Sequence, residues 1–447
     1  MISLPAPRQC LALVCLLLVG ALTGVYTSLF SQSWVLVLGV PLLVPLVVLL
    51  ITHPQSLFLM LLISRCALDP ILESSRFSSN VGLGAALNLL VVACAVVWGL
   101  QKLSQRQRPA MLLWVAPFAV MVLGTVMAPD TISALKKLVA FLSYGAVFVM
   151  GHQLCLDQDQ RGLQTLLRVV ILSAIVPLTV GMVQYATGNL FLEGRLAATF
   201  THPNIYAFYC LLVVIALLGL QHTEGGDPGI RWALLPLLVA SIVLTQTRSA
   251  WAALVVAGLL YGLLVSRRVL LWMLVAVSLA AITPAVQDRL MDLLQGNQVV
   301  QYAKLNSFAW RQYIWESGLR WMSPSHYWLG YGVGGFKHYS IDFFPMSGGN
   351  AFGAHNVYVE RFFDGGLLAV SVFAVFIAKQ LQKAWQYTRQ VRTLGLLYIA
   401  LIASYLILNF SDNVVDYLAY NWYYWSVAGA FYAMATGTGQ GERKAEA

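Results

Sequence analysis

The sequence predicts an all-α polytopic transmembrane helical bundle of roughly 12–14 spans, with one long external loop containing amphipathic helices. Three observations predict it. Of the 447 residues, 59% are hydrophobic and only 10% are charged, far outside the range of soluble globular domains, and the mean hydropathy is +0.74. Apolar windows of about 17–25 residues, each long enough to cross a hydrocarbon core, recur along most of the chain. One interruption, 284–355, is far longer than any other and is dense in Trp, Tyr and basic residues.

The windows fall near 10–29, 33–51, 55–72, 80–101, 110–128, 132–153, 163–186, 203–220, 230–246, 249–265, 268–286, 356–380, 395–410 and 414–435. Fourteen crossings put both termini on one side, and a merged or re-entrant pair among the shorter windows makes twelve. The chain thus divides into a transmembrane bundle over 1–283, the loop over 284–355, and C-terminal helices with a tail over 356–447. The run from Cys10 to Leu29 lacks a convincing small-residue cleavage site and reads as a retained first helix. The six cysteines (Cys10, Cys15, Cys66, Cys94, Cys155, Cys210) all lie in or beside apolar runs. They read as small buried hydrophobes rather than a disulfide framework.

The net charge of +9 follows from topology. The side that holds the N-terminus carries 15 basic residues against six acidic ones, so it accounts for the whole excess. That is the positive-inside pattern, with cytoplasmic termini, and the basic balance carries no implication of nucleic acid. The opposite side still holds 12 basic residues. Lys136, Lys137, Arg195, Arg248, Arg289, Arg311 and Arg361 lie near predicted span ends or in the loop, where unpaired cations are costly unless used.

Taken in order, Arg65 and Asp69 stand four apart on the third window and predict an intrahelical ion pair. Lys136-Lys137 opens the sixth window, as a snorkelling pair or a contact to a lipid diphosphate. In the connection Gly194 to Asn204, Pro203 suits the first turn of a helix with His202 or Thr201 as its cap, and Arg195 stands upstream. Such a helix start attracts anions. Thr247-Arg248-Ser249 places another arginine at an external helix start, as an interfacial anchor or an anion contact.

Within the loop, Trp310, Tyr313, Ile314, Ser317, Gly318 and Trp321 share one helical face. That face is expected to lie on the membrane surface, with Arg311 at its edge at headgroup depth. Gly330-Tyr331-Gly332-Val333-Gly334-Gly335 fits the dinucleotide spacing in form only, since no βαβ unit surrounds it. Its glycines are expected to serve a sharp turn or a close approach to a ligand. His355-Asn356 opens the next window, where the helix dipole favours a neutral imidazole able to act as a base, or as a polar cap. Asp412, Asn413 and Asp416 precede the last window, as caps or as residues that orient the histidine or an arginine. The histidines show no metal-ligand spacing, so neither a metal nor any other cofactor is expected.

Together these residues resemble the bacterial O-antigen ligase/O-antigen polymerase superfamily, most closely the ligases. The resemblance rests on Gly194-Arg195, Thr199 and His202-Pro203-Asn204, then Thr247-Arg248-Ser249. It continues with Arg311 ahead of Leu329-Gly330-Tyr331-Gly332 and with His355-Asn356 and Tyr358 running into Asp364-Gly365-Gly366. It implies a periplasmic loop, an inner-membrane protein, and metal-independent inverting glycosyl transfer. The donor would be a glycan on undecaprenyl pyrophosphate and the acceptor a sugar hydroxyl of lipid A–core. Carried over residue by residue, Arg195 and Arg311 would hold the pyrophosphate with Arg248, and His355 would deprotonate the acceptor. His202, Asn356, Lys136, Lys137 and Asp412 complete the expected substrate contacts. Asp364 stands where many members have Glu and is given no role. An O-antigen polymerase, a protein-glycosylating oligosaccharyltransferase and a lipid-linked oligosaccharide transporter are the competing readings. The transporter predicts charges buried mid-span, whereas these gather at one surface.

Overall fold

A computed structural model describes residues 45–74, 83–102, 107–223, 228–291 and 305–437. The first two windows, apart from the end of the second, and the C-terminal tail lie outside the described residues, as do Cys10 and Cys15. By its contacts the chain forms two units, Met1–Leu61 with Ala93–Leu103, and Leu62–Val92 with Ser104–Ala447. In the first, the Phe58 and Trp98 rings lie 6.3 Å apart and the Cys94 thiol donates to the Pro54 carbonyl at 3.1 Å.

The described helices are α1 (Pro54–Arg65), α2 (Asp69–Ser74), α3 (Leu83–Gln101), α4 (Arg108–Val126), α5 (Thr131–Gln158), α6 (Gln160–Ser173) and α7 (Ile175–Thr187). They continue with α8 (Pro203–Gln221), α9 (Pro228–Leu244), α10 (Arg248–Leu264), α11 (Arg268–Ala281) and α12 (Pro284–Met291). The chain then forms α13 (Ser307–Trp321), α14 (Gly335–Phe343), α15 (Val357–Thr388), α16 (Arg392–Ser411) and α17 (Leu418–Gly437). Among the described residues, seven spans are long and apolar enough to cross a membrane, counting α6 and α7 as one, and three shorter apolar helices accompany them. The protein is an all-α polytopic membrane protein, as the hydropathy predicts.

The core of the larger unit is α17, buried along most of its length and packed along α5. Small residues allow that approach. A Cβ at Gly151 would run into the Ser426 backbone, and one at Gly429 into that of Phe148. Between membrane helices, where lipid is as apolar as Leu, such close backbone packing is a main source of association. Around it, Trp114 is buried with its ring 5.0 Å from both Phe376 and Trp425.

Two departures from the predicted windows have local causes. The helix expected over 55–72 stops at Arg65, and a second starts at Asp69. The Arg65–Asp69 pair does form, at 2.5 Å and sealed from solvent, but it bridges this turn rather than one helix. The seventh window breaks at Ala174, between α6 and α7, because Pro177 has no N–H to offer the Ser173 carbonyl.

The long loop holds α12, α13, a 3-10 turn over Pro324–His326, and α14. Its apolar helix face is not laid on the membrane, which corrects the expectation above. Ile314 and Gly318 of α13 are buried, and Ile314 shares a core with Met322, Phe336, Phe343, Phe344, Ala354 and Phe363. The loop supplies its own apolar partners, so the Trp310 and Tyr313 rings pack inward on that core.

A break in α15 docks the loop on the bundle. Gly366 has φ +62 and ψ −162, which interrupts the helix and frees backbone groups on either side. The carbonyls of Phe363 and Asp364 accept from the Tyr331 and Gly332 amides at 3.0 and 2.8 Å. The amides of Leu367 and Leu368 donate to the Tyr327 and Trp328 carbonyls at 2.8 and 3.2 Å. Four of the backbone groups beside the break thus find loop partners, as buried backbone requires. Gly332, with φ +88, presses on Met127 and Ala128, and Val333 donates to the Gly124 carbonyl of α4 at 2.8 Å. The glycine run serves a close approach between backbones. Gly366→Ala and Gly332→Ala should therefore each destabilise the protein by roughly 1–3 kcal/mol. Thermal unfolding in detergent should show a lower midpoint for both.

Candidate functional site

The site forms where the ends of α9, α16 and the loop meet the starts of α8, α10, α13, α15 and α17. The connection before α8 is anchored by the Leu196 amide on the Leu244 carbonyl at 3.1 Å. Arg195 then spans three elements. Its Nε donates to the Thr245 carbonyl at 2.8 Å, and one terminal nitrogen donates to Asn204 Oδ1 at 2.7 Å and to Thr247 Oγ1 at 3.2 Å. His202 caps α8 as expected, its Nδ1 accepting from the Asn204 amide at 3.1 Å.

Asn204 passes the chain of contacts to Asp412, its side-chain amide donating to Asp412 Oδ2 at 2.6 Å. Asp412 follows α16 and is 1% exposed. Its Oδ1 accepts from the Asn413 amide at 2.9 Å and from His355 Nδ1 at 3.2 Å, and the Tyr417 side chain also bonds to the carboxylate. Burial alone would raise this carboxyl, but the bonds from His355, Tyr417 and Asn204 carry it well below the usual range. Asp412 is therefore a fixed negative charge.

His355 lies just outside the N-cap of α15, in left-handed backbone at φ +49. The segment around it is held by Trp315 Nε1 on the Ala354 carbonyl at 2.6 Å and by the Asn356 amide on Asn413 Oδ1 at 3.0 Å. Asn356 itself is buried, and its side chain caps α15 by accepting from the Tyr358 and Val359 amides. The ring nitrogen of His355 that faces the Asp412 carboxylate is the one placed to donate to it, so in the neutral imidazole Nε2 has the lone pair. The imidazole is 42% exposed, so that lone pair can meet a substrate.

Arg311 completes the group. It is half-buried on α13 and has no hydrogen-bonding or ion-pairing partner among the described residues. Its charge acts on His202 and Tyr417, which places it over the same junction. The His202 imidazole is held below its ordinary range chiefly by burial, with Asp412 opposing and Arg195, His355 and Arg311 adding to the effect. Five predicted residues, Arg195, His202, Arg311, His355 and Asp412, therefore share one site.

The remaining predicted residues are placed differently. Arg248 ties the start of α10 to the start of α13, donating to Ser307 Oγ at 2.5 Å. Lys136 is exposed, and Lys137 pairs with Glu360 at 3.5 Å and with Asp416 at 3.3 Å. Both lysines line a cavity of about 770 Å³ whose walls include Glu360 and Asp364 but none of the five.

Three residues in the arrangement went unassigned in the sequence. Asn204 joins Arg195 to Asp412, and only its place after the cap and proline hinted at it. Glu360 accepts from Asn413 Nδ2 at 2.5 Å and from the Ala354 amide at 3.3 Å, while pairing with Lys137. Asp364 clamps the glycine turn, accepting from the Gly334 and Phe336 amides at 2.7 Å each. The partners that fix their roles, Asp412 for Asn204, Asn413 and Lys137 for Glu360, and Gly334 and Phe336 for Asp364, stand too far along the chain for spacing to reveal them.

Residues 232–374 match the family model described as O-Antigen ligase. That segment runs from α9 into α15 and contains Arg248, Arg311 and His355, while Arg195, His202 and Asp412 lie outside it. An all-α bundle with a surface site of this chemistry thus carries a domain of glycosyltransferase-like enzymes. Over that segment the match supports the O-antigen ligase/O-antigen polymerase superfamily. No curated protein matches it.

The depressed Asp412 carboxyl makes a prediction about acid stability. A folded-state value below that of the unfolded chain adds stability that is fully present above the unfolded range, near about 4, and is lost progressively as pH falls from there through the folded-state value. Asp412→Asn should therefore flatten the loss of thermal stability between about pH 5 and pH 3. A wild-type acid slope retained in the variant would contradict the ionised Asp412.

Proposed function

We propose that the protein is an O-antigen ligase that moves a glycan from undecaprenyl pyrophosphate to a sugar hydroxyl of lipid A–core. The site would face the periplasm at the bacterial inner membrane, with both termini cytoplasmic. One observation carries this reading: an imidazole oriented by a buried carboxylate, with its other ring nitrogen exposed, shares a site with an arginine that no group among the described residues hydrogen-bonds or pairs with. The first is a base and the second an anion receptor, set where apolar helices end.

The chemistry needs these two parts. His355 Nε2 takes the proton of the acceptor hydroxyl as its oxygen attacks the anomeric carbon, opposite the leaving group. The anomeric C–O bond breaks with its electron pair going to the pyrophosphate, so the new bond has inverted configuration. Asp412 stabilises the imidazolium that forms and keeps the ring in the productive tautomer. Arg311 offers a planar fork to the developing phosphate charge, and its half-buried setting strengthens the attraction. Arg195 acts at one remove. It adds positive field and holds Asn204 against Asp412, with most of its own donors already engaged.

Complementation of a deletion strain tests the assignment. With His355→Ala, O-antigen should vanish from lipid A–core on a lipopolysaccharide gel while polymer accumulates on undecaprenyl pyrophosphate. A single repeat unit on core would mean a polymerase instead, and full-length ladders would sink the general-base role. In purified protein, Arg311→Lys should lower turnover by about 10²-fold, because a point charge cannot replace the fork. Near-normal turnover would count against Arg311 as the phosphate ligand.

A further inference from the structure

The cavity of about 770 Å³ lies among α3, α4, α5, α15 and the segment around Asp416. Its walls are mostly apolar, with Pro117, Ala140, Phe141 and Leu418 among them, but charged groups also line it. The acids there already have partners. Glu360 and Asp416 pair with Lys137, and Asp364 accepts two backbone amides. Two cations do not. Arg361 has a fully enclosed Nε with no hydrogen-bond partner, and its guanidinium carbon sits 4.5 Å from the centre of the Phe373 ring. Lys136 makes no hydrogen bond or ion pair among the described residues.

A guanidinium in an apolar enclosure, acted on by Glu360 and Asp364 through charge but hydrogen-bonded to neither, is unfavourable unless a ligand completes it. The volume lies within the range of ligand pockets, about 300–1,000 Å³, and far exceeds a free phosphate ion. We propose that this cavity is a second binding site, separate from the transfer site, for a phosphorylated lipid. The phosphate lies between Arg361 and Lys136, and the hydrocarbon chain runs along the apolar wall. Arginine suits the headgroup because its fork matches phosphate oxygens. The wall suits the chain, since each methylene buried there leaves water. The site also borders the transfer machinery, for Glu360 holds the Ala354 amide next to His355 as well as Lys137. The inference rests on the cavity and its cations, so it does not depend on the transfer reaction proposed above.

Native mass spectrometry of the delipidated full-length protein tests it with undecaprenyl phosphate, phosphatidylglycerol and uncharged undecaprenol. Repeating each titration with Arg311→Ala removes the contribution of the transfer site. Wild type should retain a phosphorylated lipid and not the alcohol. Arg361→Gln with Lys136→Gln should weaken retention at least about tenfold. Ala140→Phe, which narrows the cavity and leaves its charges, should do the same. If Arg361→Gln fails to fold, Lys136→Gln and Ala140→Phe carry the test. A preference for undecaprenyl phosphate would assign the site to a polyprenyl lipid, and a preference for phosphatidylglycerol to a bulk membrane lipid. Equal retention of undecaprenol, or wild-type binding in both Lys136→Gln and Ala140→Phe, would overturn the proposal.

Discussion

Asp412 is the charge around which this end of the bundle is assembled. A carboxylate with 1% exposure loses its hydration, and the loss is several kcal/mol unless other donors replace the water. The replacements come from Asn204 at the start of α8, His355 at the end of the loop, the Asn413 amide, and Tyr417 before α17. These groups can converge only if three separate connections meet: the one before α8, the end of the loop, and the one between α16 and α17 that carries Asp412, Asn413 and Tyr417. The need to satisfy one buried anion therefore fixes the relative placement of elements that hydropathy alone would leave free to slide.

The loop is bound to the bundle by a second constraint of the same kind, this time on the backbone. Breaking α15 at Gly366 would leave unpaired amides and carbonyls at membrane depth, where no water can serve them. The 327–332 segment pairs with them on both sides of the break. Asp364 then caps the turn that follows, and the aromatic core beneath α13 closes over it. Arg311 and His355 are consequently carried on a packed subdomain. In the proposed reaction, a base and a cation held in this way would lose little further order when a substrate arrives, which favours reaction over mere binding.

The two halves of the functional end differ in how their charges are used. Near His355, the acid is satisfied and Arg311 is left without a hydrogen-bonding or ion-pairing partner among the described residues. In the adjoining cavity, Lys137 is neutralised by Glu360 and Asp416, while Arg361 and Lys136 are left over. Glu360 touches both regions, through Lys137 on one side and Asn413 and Ala354 on the other. Cations that the positive-inside pattern did not explain are thus divided between structural pairing and open coordination.

The sequence by itself determined the all-α membrane class, most of the described helices with their approximate ends, and the chemical types at the site. These depend on local properties: runs of apolar residues long enough for a membrane, Pro203 after a capping His202, and arginines at span ends. It also marked His355 and Arg311, because their types and setting suit a base and an anion receptor. Only the tertiary structure decided which charges remain free. Asp412 meets Asn204 across 208 positions and His355 across 57, and no periodicity encodes such distances. The aromatic face of α13 shows the same limit. Amphipathicity reveals that a face must be covered, but a membrane and a protein core satisfy it equally well, and only the fold shows that Phe336, Phe343 and Phe363 do the covering.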